Sequence, residues 1–132
     1  MARSRLGTGT RVCALSRGAV DQIGRADHRV AVFVWFSIDD DRDTARARLR
    51  ETVAVALQQD FMRSQLGHLV TAGPSEAVLA EVTVSGTPTD CAAAVRALHA
   101  AGADAVVLQS VPRTEVEQLE RVREDLLPLL VD

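Results

Sequence analysis

The stretch from Gly86 to Leu108 constrains the fold more than any other part of this 132-residue chain. Thr87 supplies a helix-capping hydroxyl, and Pro88 suits the first helical position, where its missing N–H costs nothing. Asp90, three residues past the cap, completes a capping-box pattern at the positive end of the helix. Val95, Leu98 and Ala101, with Ala92 and Ala94 beside them, form an apolar stripe at helical spacing. Gly102 ends the helix in the left-handed conformation. Asp104 then leads into Ala105-Val106-Val107-Leu108, an apolar run of the kind buried in a parallel sheet. A helix laid back against a buried strand is half of a βαβ unit, so the fold class is α/β.

A second strand is expected over 30–36, where β-branched and aromatic residues run almost without polar interruption. Ser37-Ile38-Asp39-Asp40-Asp41 ends it and offers several helix caps. The helix that follows, 42–58, sets Arg42, Arg46 and Arg50 on a solvated side and Ala45, Leu49, Val53 and Leu57 on a buried one. Further helices are expected over 61–70 and, after the Gly73-Pro74 break and a Ser75 cap, up to about Glu81. Val82-Thr83-Val84 reads as an extended approach to the Thr87 cap. Thr114, with Glu117 in capping-box position, opens a final helix whose apolar face is Val116, Leu119, Val122, Leu126 and Leu130.

These segments together resemble the carboxy-terminal end of the luciferase-like monooxygenases. The resemblance rests on GTPTDCAAAVRALHAAGADAVVLQSV, on the closing pattern of Glu117, Leu119, Val122, Leu126, Leu127, Pro128 and Leu130, and on RVAVFVWFSIDDDRDT from Arg29 to Thr44. It implies a partial (β/α)8 TIM barrel: the last two strand–helix units, with a helical insertion. Residues 29–132 would form that part and 1–28 a poorly defined amino-terminal segment. It also implies an oxidoreductase with FMN or F420 as cofactor and a small organic substrate. A whole barrel takes about 250 residues. Neither the family's amino-terminal half nor its Gly-Gly phosphate-binding segment has a counterpart here, so this chain is expected to be inactive alone. The alternative is a non-catalytic half-barrel that self-associates into a homo-oligomer or pairs with a partner half-barrel, burying its open strand edges.

Composition excludes several other classes. The net charge is -3 and aromatic residues make up 3%, which disfavours nucleic acid and anionic membrane as partners. All basic residues are Arg, with no Lys, Asn or Tyr; those absent residues share A/T-rich codons, so the gene is G+C-rich. No stretch approaches the ~20 apolar residues of a membrane span. Cys13 and Cys91 have no metal-ligand spacing, and a reducing cytoplasm is the expected compartment. Residues 1–28 are Arg- and Gly-rich with poor periodicity. They read as a loosely ordered tail with a short helix near 14–23, at the edge of a truncation or of a misassigned start.

No catalytic or metal motif is present. Three adjacent Asp at 39–41 cannot all converge on one ion and read as a polar turn with a cap. His28, His68 and His99 belong to no paired-ligand pattern. Ser37, Ser64 and Ser110 lie outside any nucleophile elbow. Trp35 and Phe36 fit core packing better than a ring contact in a barrel mouth. If the barrel comparison holds, a cofactor meets the carboxyl ends of strands. That geometry selects Ser37, beside Ile38, and Gln109 and Ser110.

Overall fold

The computed structural model describes residues 17–19, 21–22, 29–58, 79–80 and 82–131. Strand β1 (Ala31–Ile38) leads to helix α1 (Arg42–Leu57), strand β2 (Thr83–Gly86), helix α2 (Pro88–Ala100) and strand β3 (Ala105–Ser110). A carboxy-terminal helix follows in three pieces: α3 (Glu115–Arg121), a π turn (Val122–Leu126) and α4 (Leu127–Leu130). Residues 17–19 and 21–22 are helical, within the short helix expected near 14–23. The helix expected over 61–70, the Ser75 cap, Cys13, His28, His68 and Ser64 fall outside the described residues.

The three strands form one parallel sheet in the order β2-β1-β3. Ala31 to Phe36 pair in register with Ala105 to Ser110, and Trp35 to Ile38 pair with Thr83 to Gly86. The sequence pattern anticipates β1 and β3. It misreads Thr83–Gly86, which is a third strand and not merely an extended approach. The four residues of β2 are too few for an alternating signal, and two of them are hydroxyl-bearing. In a (β/α)8 barrel each strand neighbours the next in the chain. Here the connection from β2 to β3 passes over β1, so β1 is central.

That order sends the two crossover helices to opposite faces. On one face Val32, Val34, Phe36 and Ile38 of β1 join Val84 of β2 and Val106 and Leu108 of β3. They pack against Cys91, Ala92, Val95 and Leu98 of α2 and against Leu126. On the other face Trp35 packs on Leu49 and Val53 of α1, with Leu79. Fully burying each large side chain contributes about 1.5–3 kcal/mol before entropy is counted. The α1 stripe is as expected at Ala45, Leu49 and Val53, all fully buried. Phe36 is in the first core and Trp35 edges the second, so both pack as core residues.

The local signals of the 86–108 unit are realised in detail. Thr87 accepts from the Asp90 amide at 3.2 Å, and Asp90 accepts from the Thr87 amide at 3.1 Å. Gly86 (φ 126°) and Gly102 (φ 116°) bracket α2 in conformations that favour glycine. Asp104 ties the start of the sheet together. Its amide donates to the Val30 carbonyl at 2.8 Å, and its carboxylate accepts from the Val30 amide at 2.7 Å and pairs with Arg17.

The final helix departs from its sequence reading. Thr114 does not cap it: the hydroxyl donates to the Val111 carbonyl at 2.7 Å, consumed by the turn in which Arg113 is left-handed (φ 74°). The buried face is also different. Gln118 and Leu126 are buried, whereas Val116 is 74% and Leu119 61% exposed. The π turn explains the change of phase. On a regular helix Gln118 and Leu126 would lie about 80° apart, at 100° per residue; the wider turn takes up an extra residue and aligns them. Pro128 supplies a cause, because it lacks the N–H to bond Glu124 and its ring would meet that carbonyl. The Leu127 amide bonds to Val122 instead, five residues back.

Candidate functional site

Open α/β sheets bind ligands outside the carboxyl ends of their strands, where the chain reverses the direction in which strands are added. In this sheet that place is the gap between the ends of β1 and β3. β3 stops at Ser110, opposite Phe36, so the peptide groups of Ile38 that face β3 have no strand to pair with. On the opposite edge the next amide, Asp39, donates to the Gly86 carbonyl at 3.1 Å.

Gln118 fills the gap. Its Oε1 accepts from the Ile38 amide at 2.7 Å, and its Nε2 donates to the Ile38 carbonyl at 3.1 Å. The side-chain amide thus stands where the next peptide of β3 would stand, and it is 1% exposed. The sequence gives little to single out Gln118: one Gln among Glu, Leu and Arg in a helix reads as a solvated position.

The rim of the gap is charged and internally paired. Asp39, Asp40 and Asp41 diverge to three partners, as adjacent side chains must. Asp39 pairs with Arg48 at 2.7 Å, Asp40 with Arg121 at 2.7 Å, and Asp41 caps α1 through the Thr44 amide at 3.3 Å. The Asp41 amide, and then the Arg48 charge, hold the Asp39 carboxyl below its usual range. Arg121 also reaches Asp125 at 2.9 Å. Arg42 forks onto both oxygens of Asp90 at 2.8 and 2.9 Å, the main reason that its pKa falls to about 2. Among the described residues, no group of three or more His, Cys, Asp and Glu could hold a metal ion. His99 Nδ1 lies 2.8 Å from the Ala103 carbonyl just beyond its own helix, a local contact.

The residues selected from the sequence are distributed around this gap and do not form one surface. Ser37 is 1% exposed, on the α1 side of the sheet beside its register partner Ser85, and its Oγ has no hydrogen-bond partner. Ser85 instead shares a 2.8 Å hydrogen bond with Thr83. Gln109 is exposed on that same side of β3, and Ser110, half-buried, alternates to the other. Cys91 lies by the ends of β1 and β2, its Sγ 3.9 Å from the Ser37 carbonyl and 3.8 Å from the Gly86 carbonyl, with its thiol pushed up to about 12 chiefly by burial. It is therefore protonated and inert as a nucleophile at neutral pH.

As folded, the described residues do not fit a ring cofactor. The gap is occupied by Gln118, and the start of α2 is already neutralised by the Asp90 carboxylate, which leaves no welcome for a phosphate.

No family model matches the sequence, and no curated protein matches it. Solved structures do. The fold is similar to that of the coenzyme F420-dependent tetrahydromethanopterin reductase of Methanopyrus kandleri, with TM-score 0.70 and 18% identity over 95% of this chain. It is also similar to an F420-dependent secondary alcohol dehydrogenase in complex with an F420-acetone adduct, with TM-score 0.59 and 19% identity over 87% of this chain. Both are F420-dependent enzymes. The chain spans 43% of the length of the first and 37% of the second. No helix among the described residues is long and apolar enough to cross a membrane.

Proposed function

We propose that this chain is the carboxy-terminal part of a luciferase-like oxidoreductase that uses F420, or alternatively FMN, on a small organic substrate in the cytoplasm. The observation that carries the reading is the fold likeness to two F420-dependent enzymes over nearly the whole chain, joined to the capped GTPTD helix and AGAD strand entry. In such an enzyme the ring supplies the redox chemistry and the protein positions and shields it. The strand-end residues Ser37, Gln109 and Ser110 are the proposed contacts. Ser37 would need α1 to shift, whereas Gln109 and Ser110 are reachable. Residues 29–132 would serve as the carboxy-terminal part of such an enzyme, with the strand order β2-β1-β3 in place of the sequential order of a barrel. Titration of F420 and of FMN into the purified chain, followed by cofactor fluorescence, tests the reading. Saturable quenching by either supports it. If neither is quenched, even after the chain is combined with the missing barrel portion of a related reductase, the reading falls.

One observation favours a non-catalytic alternative. On the α1 side of the sheet Phe33 is 66% exposed, beside its register partner Val107. A half-barrel that self-associates or pairs with a partner chain would cover them. Sedimentation of the purified chain as a stable dimer without cofactor binding supports this alternative over the first.

A further inference from the structure

The final helix carries a second apolar ridge, on its solvent side. Gln118 and Leu126, eight residues apart, are aligned on the buried side by the π turn at Val122–Leu126. Leu119 and Leu127 have the same spacing, so the same turn aligns them on the outer side, with Arg123 midway between. Val116 extends the ridge by one turn. Val116 is 74%, Leu119 61% and Leu127 47% exposed. Among the described residues, the exposed large apolar side chains other than Phe33, Val55 and Val107 all lie at 116–131. Single exposed apolar residues are ordinary, but a continuous ridge of them marks an interaction surface. Glu120 and Glu124 each follow a ridge residue by one position, which sets both on the same flank. Both are exposed, and the Arg123 guanidinium leans to that flank, 3.1 Å from Glu124.

We propose that this ridge is a dimer interface whose occupant is the same helix of a second copy, packed antiparallel about a two-fold axis. Charge complementarity selects that occupant. An antiparallel pair can set Glu120 of each copy opposite the partner's Arg123, which forms two symmetry-related ion pairs at the centre. In that same register Val116 of each copy faces the partner's Leu127, so apolar contacts close both ends. Leu119 lies against the aliphatic stem of the partner's Arg123, whose charged head stays at the rim. A parallel pair would instead set Arg123 beside the partner's Arg123 and Glu120 beside the partner's Glu120. Two helices of this length bury less than the ~800 Å² per partner of a standard interface, so the dimer is weak and depends on concentration. The helix packs on the α2 side of the sheet through Leu126, whereas Phe33 and Val107 face the α1 side. The pairing therefore leaves those two uncovered and holds under either reading of the function.

Charge reversal tests this in the full chain, by sedimentation over a concentration series. The unsubstituted chain is expected to dimerise. Glu120→Arg and Arg123→Glu are each expected to weaken the dimer by about ten-fold or more, because like charges then meet across the two-fold axis. Mixed in equal amounts, the two variants are expected to form a heterodimer within about three-fold of the parent affinity, since both cross-chain pairs are again of opposite sign. Both positions are exposed, so the variants keep the fold, which circular dichroism checks. Changes within a single helix cannot produce rescue in the mixture. Phe33→Ser is expected to leave the dimer unaltered. A parent chain that is monomeric up to about 1 mM overturns the proposal. So does a dimer indifferent to both reversals, or a mixture that yields no heterodimer. A dimer lost in Phe33→Ser and kept in Glu120→Arg also overturns it, and assigns association to the sheet face.

Discussion

Gln118 and Ile38 lie 80 residues apart and are joined by two hydrogen bonds through one side-chain amide. Gln118→Ala leaves the Ile38 N–H without a partner in a buried place, while the carbonyl keeps Arg48 at 3.4 Å. It is expected to destabilise the chain by about 1–3 kcal/mol, the cost of one orphaned buried group. Urea unfolding checks this. A loss below 0.5 kcal/mol would mean that the amide is dispensable at the strand end.

Gly86 is irreplaceable for two separate reasons. Its φ of 126° disfavours any side chain, and a Cβ there would sit 2.5 Å from Asp90 Oδ2. Gly86→Ala is expected to break the Thr87–Asp90 capping box as well as strain the backbone, a combined cost of about 2–4 kcal/mol. Thermal unfolding of this variant beside Thr87→Ala, which loses the cap alone, separates the two causes. Equal melting points in the two variants would contradict the clash.

Asp90 makes stability depend on pH in the acid range. Its folded pKa is about 2, held down first by Arg42, against about 3.9 in an unfolded chain. A depressed folded pKa means that the stabilisation is fully present above about pH 4 and is lost as the pH falls toward 2. Asp90→Asn should flatten the stability curve between those values, with little change in its slope above pH 5. A variant whose curve still falls as steeply as the parent's would assign the acid sensitivity elsewhere, with Asp39 and Asp104, both also depressed, as the next groups to test.

Cys91 should be silent to thiol reagents. With the thiol fully buried and its pKa near 12, a Cys13→Ser protein at pH 8 is expected to show no reactive thiol until denaturant is added, and then one. Labelling within minutes in the native state would mean that the start of α2 opens readily.

The 86–108 unit was legible because each of its signals is local. Thr87, Pro88 and Asp90 act on their own helix turn, and Gly102 acts on the turn beside it. The β1 strand and the α1 stripe were legible for the same reason, as hydrophobic patterns within one element. What could not be read depends on partners far along the chain. β2 is a strand because β1 is beside it, and Thr83, Ser85 and Gly86 advertise nothing of that. An unbroken period of 3.6 puts Val116 and Leu119 on the buried face of the final helix; Pro128 and the π turn before it shift that phase and bury Gln118 instead. At the candidate site, strand alternation sends Ser37 and Ser110 to opposite faces of the sheet, and no pattern in the sequence announces Gln118.

The central position of β1 also sets the order in which this protein can be made. Val30 and Asp104, which close the start of the sheet, are 74 residues apart, and parallel pairing offers no hairpin from which to begin. On the ribosome β1 emerges before its two partners, apolar along both faces, and the longer of them arrives only after α2 has been synthesised. During that interval the strand has only the four residues of β2 to pair with and one long edge left open, so the nascent chain is where this protein is most open to wrong partners.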